Sequence, residues 1–184
     1  AIIGHSFGGY TALAASGAFV DVAAGREYCM QNGGWLCGNL DELAAIYGED
    51  AILDNSDPRI WASIPMAPAA YEVLAGGLAS ISIPTTILAG DADTLVTLQE
   101  VEKIYGGISA SKHLGVLAGA SHYSFSNACE ILNAPEYCPA PLSDDVAQDR
   151  INTVALSFLR GQLGDTRAGA YFPPEDPEWT WEAP

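Results

Sequence analysis

The sequence is short of positive charge. Seven Lys and Arg stand against 23 Asp and Glu, leaving a net charge of −16. The seven cations (Arg26, Arg59, Lys103, Lys112, Arg150, Arg160 and Arg167) are scattered. No basic patch exists to neutralise phosphates, which argues against nucleic acid as a partner. Adsorption to an anionic membrane surface is disfavoured for the same reason. The acidity reads as a solvated, self-repelling surface. No run of eighteen apolar residues occurs, so no membrane-spanning helix is expected. Repeats and low-complexity tracts are also missing.

Cysteine is scarce, with four residues and no C-x-x-C spacing. That spacing argues against a redox dithiol or a thiolate metal site. The four fall in two local pairs within Gly-, Asn- and Pro-rich segments. Two loop-closing disulfides, Cys29–Cys37 and Cys129–Cys138, are the simplest pairing. They imply an oxidising location, periplasmic or secreted.

What is present is enough apolar material for one packed domain: 184 residues, 49 % of them apolar. Residues 1–5 read as the end of a buried strand. Residues 7–18, rich in small side chains, read as a helix packed closely on a sheet. Residues 20–56 alternate loop and short helix, the best helical patch being 39–50 with Asn39 as N-cap. A second strand lies within 58–70, ended by Pro65 and Pro68. Thr85–Ala89 is a continuous β-branched and apolar run, which predicts a strand buried on both faces. Residues 98–108 read as a helix and Leu114–Ala118 as a fourth strand. Residues 143–164 form the clearest helix: Ser143 caps it, Asp144 and Asp145 suit its positive end, and Gly161 or Gly164 stops it. The acidic, Pro-rich tail, 165–184, reads as a surface extension, with Trp179 and Trp181 as possible docking side chains. Strands alternating with helices predict an α/β domain over residues 1–164, with a mostly parallel sheet covered on both faces.

The opening "AIIGHSFGGY" carries the chemistry. A strand that passes directly into a helix holds its turn residue in a strained backbone, and its close neighbours must be small. Gly4 and Gly8 meet that need, and Gly9 lets the helix approach the sheet. The turn lifts the Ser6 hydroxyl above the sheet and leaves the Phe7 N–H at a helix N-terminus, ready to donate to an oxyanion. A serine hydroxyl becomes a nucleophile only when a base takes its proton. Of the three histidines, His5 sits inside the bend with its side chain directed elsewhere. His113 begins a strand, at the sheet end opposite the bend. His122 follows the C-terminal end of a strand, where ligands bind in parallel sheets, and is the base by elimination. A carboxylate must orient that imidazole. Asp91 and Asp93, in "ILAGDADTLV", are both placed for it, with Glu72 a distant third.

These motifs together resemble the C-terminal half of an α/β-hydrolase. "GHSFGG" is similar to the platelet-activating-factor acetylhydrolase and dienelactone-hydrolase-like esterases. "LAGDADTLV" resembles the family's Gly-x-x-Asp acid turn, which selects Asp93. "GASHYSF" resembles its histidine loop. Dienelactone hydrolases proper carry a cysteine nucleophile, where this chain has Ser6.

The resemblance covers about residues 1–162. It implies strands five to eight of the fold, with strands one to four and the loop bearing the second oxyanion donor lying upstream. It also implies an open edge on the first strand and weak activity of this portion alone. The expected reaction is hydrolysis of a small-molecule or lipid-like carboxylic ester through an acyl-enzyme on Ser6, needing no metal or cofactor. Acyl transfer or thioester cleavage by the same triad, and a non-catalytic binding module, are the alternatives. Trp35, Leu36, Met66, Tyr71 and Tyr123, in the segments after the strands, are candidates to line the substrate pocket.

Overall fold

The computed structural model describes residues 1–132 and 141–183. In chain order its elements are β1 Ile2–His5, α1 Phe7–Ala15, β2 Val20–Asp21, α2 Val22–Asn32, α3 Cys37–Tyr47, β3 Ile52–Leu53, β4 Ser63–Met66, α4 Tyr71–Leu74 and β5 Thr85–Gly90. There follow α5 Leu98–Gly107, β6 Lys112–Leu117, a 3₁₀ turn at His122–Phe125, α6 Ala128–Leu132, α7 Asp144–Gln162, α8 Thr166–Gly169 and β7 Trp179–Glu182.

Five strands form one sheet in the order β1-β4-β5-β6-β7, the first four parallel and β7 antiparallel to β6. The central strand β5 is buried along its whole length. Its side chains alternate between two cores, as strand geometry requires. Ile87 joins Leu13 of α1 and Val101 and Ile104 of α5 on one face. Leu88 joins Ile64 of β4 and Ile151, Val154 and Phe158 of α7 on the other. Burying each such Leu, Ile or Phe contributes about 1.5–3 kcal/mol. The chain is therefore an α/β protein with a mostly parallel sheet between two helical layers. Val22, Leu40 and Leu74 bring α2, α3 and α4 onto the first core.

Several local expectations are corrected. Pro65 lies inside β4 and does not end it. The β4–β5 register is matched at Ser63 and Met66 and interrupted between them, at Ile64 and Pro65, where the missing N–H cannot join a ladder. The helix read at 39–50 starts earlier, at Cys37, after Leu36 and not Asn39. Helix α2 had no amphipathic stripe to announce it, since only Val22 and Gly25 are buried. Its N-cap is Asp21, whose Oδ1 accepts the Ala24 N–H at 2.9 Å. Helix α7 runs to Gln162, with Gly164 in the left-handed region (φ 86°) just beyond.

The tail differs most from the expected surface extension. Trp179–Glu182 extends the main sheet as β7. Gly115 on β6 makes room, because a Cβ there would come within 2.6 Å of the Trp181 ring. Arg150 of α7 holds Asp176 at 2.9 Å. At the other edge β1 pairs with β4 and with no further strand among the described residues. Ile3 there is 47 % exposed, and the edge carries none of the charges or prolines that usually guard one.

Candidate active site

Strand β1 ends at His5 and α1 begins at Phe7, so Ser6 alone makes the turn. Its backbone has φ 58° and ψ −118°, a conformation that a non-glycine residue keeps only when its surroundings hold it. The surroundings are explicit. A Cβ on Gly4 would collide with the Gly8 carbonyl. A Cβ on Gly9 would reach 2.9 Å from Pro68 Cα. Gly8 contributes its backbone and not its small size, because a Cβ there meets open space. The Ser6 N–H donates to the Met66 carbonyl at 2.9 Å, and the Ser6 carbonyl accepts from Tyr10 at 3.0 Å and Ala69 at 3.4 Å. Ala67 and Ala70 also have positive φ. With Ser6 they are the only non-glycine residues so placed among the described residues, and all three lie in these two hydrogen-bonded segments.

His122 Nε2 lies 2.9 Å from Ser6 Oγ. His122 Nδ1 lies 2.8 Å from Asp93 Oδ2. The three residues come from the ends of β1, β5 and β6, on the same rim of the sheet. His122 is 6 % exposed, and the Asp93 side chain is fully buried. A buried carboxylate needs donors, and Asp93 has them. Its Oδ1 accepts the N–H groups of Leu95 at 2.8 Å and Val96 at 2.9 Å. That leaves Oδ2 for the imidazole. Asp93 therefore fixes His122 as the Nδ1–H tautomer, with Nε2 free to accept from the serine hydroxyl.

The two rejected carboxylates have other work. Asp91 Oδ1 accepts the Gly119 N–H at 2.6 Å, tying down the turn that leads to His122. Glu72 is buried and accepts the Leu36 N–H at 3.1 Å. Neither approaches the imidazole.

Phe7 is the first residue of α1, and its N–H has no carbonyl one turn back to bond. The candidate lining residues separate into distinct places. Tyr123 packs edge-on against His122, ring centroids 5.3 Å apart. Trp35 is 61 % exposed and packs edge-on against Phe7 at 5.4 Å. Trp35 and Tyr71 line one cavity of about 180 Å³ with Tyr28, Glu72, Glu100 and Lys103. Burial, then the charge of Glu72, pushes the Glu100 carboxyl above its ordinary pKa. Met66 lines a different cavity, about 280 Å³, with Ile3, Phe125 and Gln148. Leu36 belongs to the core. Two larger hollows, about 480 and 490 Å³, lie away from Ser6, beside Arg26 and between α7 and α8.

The His5 side chain, expected from the sequence to be directed elsewhere, points to the site. Its ring centroid is 4.6 Å from that of His122. Burial, then the neighbouring His122, lowers its pKa to about 4. Strand alternation was the available signal: residues 3 and 5 share a face, and Ile3 faces Phe125, three residues after His122. His113 stands at the foot of β6, as expected, with its ring edge-on to Phe172 at 4.9 Å.

The Cys29–Cys37 disulfide is formed and is compatible with an extracellular location. The expected Cys129–Cys138 bridge lies outside the described residues. Among the described residues no helix is long and apolar enough to cross a membrane, and no group of three or more His, Cys, Asp or Glu is placed to hold a metal. No protein-family model matches the chain, and no curated protein matches it significantly.

Proposed function

We propose that the chain is a serine hydrolase of the α/β-hydrolase type, cleaving carboxylic esters through an acyl-enzyme on Ser6. The observation that carries this is the relay Ser6 Oγ–His122 Nε2 at 2.9 Å and His122 Nδ1–Asp93 Oδ2 at 2.8 Å, set on a serine with positive φ at a helix N-terminus. The sheet order and the unguarded edge of β1 support its reading as the C-terminal half of that fold.

In this reaction Ser6 Oγ bonds to the ester carbonyl carbon as His122 Nε2 takes the hydroxyl proton. The carbonyl π-electrons move onto oxygen, and the Phe7 N–H donates to that oxyanion. The imidazolium is stabilised by Asp93, which stays ionised. It returns its proton to the leaving alcohol as the C–O bond breaks. Water then attacks the acyl-serine while His122 takes one of its protons. That proton passes to Ser6 Oγ as the acid departs. Trp35 beside Phe7 and Tyr123 beside His122 offer apolar surface flanking the carbonyl, which fits a neutral or lipid-like ester.

The test is labelling with a fluorophosphonate, which traps an activated serine. The wild-type chain is expected to label and Ser6→Ala is not. Equal labelling of the two would refute Ser6 as the nucleophile.

A further inference from the structure

The reaction above leaves one buried imidazole at the rim without a task. His5 is directly bonded in sequence to the nucleophile, and its ring is wedged between two others. It meets His122 at 4.6 Å with the planes tilted by 48°. It lies over Phe125 at 6.2 Å, nearly parallel at 24°. Strand pairing fixes the wedge from behind: His5 is in register with Met66 of β4, and Ser6 N–H is bonded to the Met66 carbonyl. The His5 backbone cannot shift without moving the turn that holds Ser6. One structural unit therefore supports both the nucleophile and the ring of its base.

We propose that His5 is a positioning residue, whose ring presses on the His122 imidazole and keeps it aligned between Asp93 and Ser6. The proposal rests on the serine hydrolase reading for its effect on rate, while the contact itself does not. Two hydrogen bonds hold His122 at its nitrogens, but a ring held only along that line can still rotate about it. Rings packed beside it remove that freedom, and His5, tilted against it, and Tyr123, edge-on to it, supply them. His5 Nε2 is buried with no hydrogen-bond partner among the described residues, so no polar bond of that nitrogen explains the packing. The charge of His122 disfavours a proton on His5, while a hydrogen bond to the His122 backbone and the charge of Asp93 favour one. Burial and the charge of His122 outweigh these and disfavour a proton on His5, so of the two neighbouring imidazoles His122, which meets both Ser6 and Asp93, takes up the serine proton.

Two substitutions separate alignment from general support. His5→Ala removes the wedge. It is expected to lower kcat by roughly tenfold to a hundredfold at unchanged KM, the size of loss that misplacement of a catalytic group by about 1 Å produces. His5→Phe keeps a neutral ring of similar reach and is expected to restore kcat to within about threefold of wild type. The second readout is the far-downfield proton NMR signal of His122 Nδ1–H in its bond to Asp93. It should be sharp in wild type and His5→Phe and broadened or lost in His5→Ala, with all three proteins folded by circular dichroism. A His5→Ala protein that keeps both kcat and the downfield signal overturns the proposal. So does a folded His5→Phe protein as impaired as His5→Ala. The signal is read without turnover, so a wild type that hydrolyses no ester would count against the reaction and leave the alignment test intact.

Discussion

His113 and His122 flank one strand. The first stands at the foot of β6, the second in the turn beyond its head. Both carry buried ring atoms, and both touch an aromatic ring: Phe172 for His113, Tyr123 for His122. The difference is what meets the nitrogens. His113 Nδ1 is buried without a hydrogen-bond partner among the described residues. His122 has a carboxylate at one nitrogen and a hydroxyl at the other. Burial alone makes an imidazole a packing group with its proton disfavoured. A buried carboxylate aligned behind one nitrogen makes a base whose other nitrogen can take a proton and give it back.

The sharpest way to break this comparison is to remove each ring in turn. His122→Ala should lower ester hydrolysis by roughly 10⁴- to 10⁶-fold, and it should lower the melting temperature as well, because it leaves the buried Asp93 Oδ2 without its donor. His113→Leu should leave the rate as it was. It replaces an orphaned nitrogen with an apolar group of similar size, so stability should be unchanged or slightly higher. Turnover measured beside thermal melting checks both. Equal loss of rate in the two variants would erase the distinction.

A smaller effect comes from the carboxylates. Asp93→Asn keeps the shape but offers the imidazole an amide, favours the wrong tautomer, and should cost roughly 10⁴ in kcat. Asp91→Asn keeps an acceptor for the Gly119 N–H and should cost tenfold or less. Two aspartates two residues apart would thus differ by roughly a thousandfold or more. Similar losses in both would mean that Asp91 supports the site as much as Asp93.

The sequence announced some of this better than the rest, and the reasons are physical. The turn at Ser6 is local: its strain and the collision that forbids a side chain at Gly4 arise within five consecutive residues, so the motif is visible in the string. Thr85–Ala89 was equally plain because a strand buried on both faces leaves an unbroken apolar run. Asp91 and Asp93 were indistinguishable by position. What separates them is which carboxylate caps its own loop through Leu95 and Val96 and which reaches across to Gly119, and that depends on folded geometry. Strand β7 was hidden because its partner, β6, lies more than sixty residues away in the chain and its four residues follow a Pro-rich segment. His5 was readable from alternation along β1, but a four-residue strand gives that signal little weight beside the serine next to it.

The finest expected difference lies in acid. His5 is lowered to about 4 and His113 is lowered as well, burial being the first cause in each. An unfolded histidine titrates near 6.5. Between that value and the folded one, the unfolded chain binds protons that the folded chain refuses, so unfolding becomes easier as pH falls. The loss begins near pH 6.5 and, for His5, is complete by about pH 4, where it amounts to about 3 kcal/mol. Glu100 works the other way: its raised pKa lets the folded state take up a proton first, and this adds stability as pH falls. The net slope therefore mixes opposing groups, and variants are needed to isolate the histidines. Melting temperatures between pH 7 and pH 5 should fall less steeply in His113→Leu than in wild type, and less steeply still in His5→Phe, whose parent group is the more deeply shifted. The order matters more than the size. If both variants track the wild-type slope, neither ring is held neutral by its surroundings, and His122 differs from its two neighbours in its partners alone.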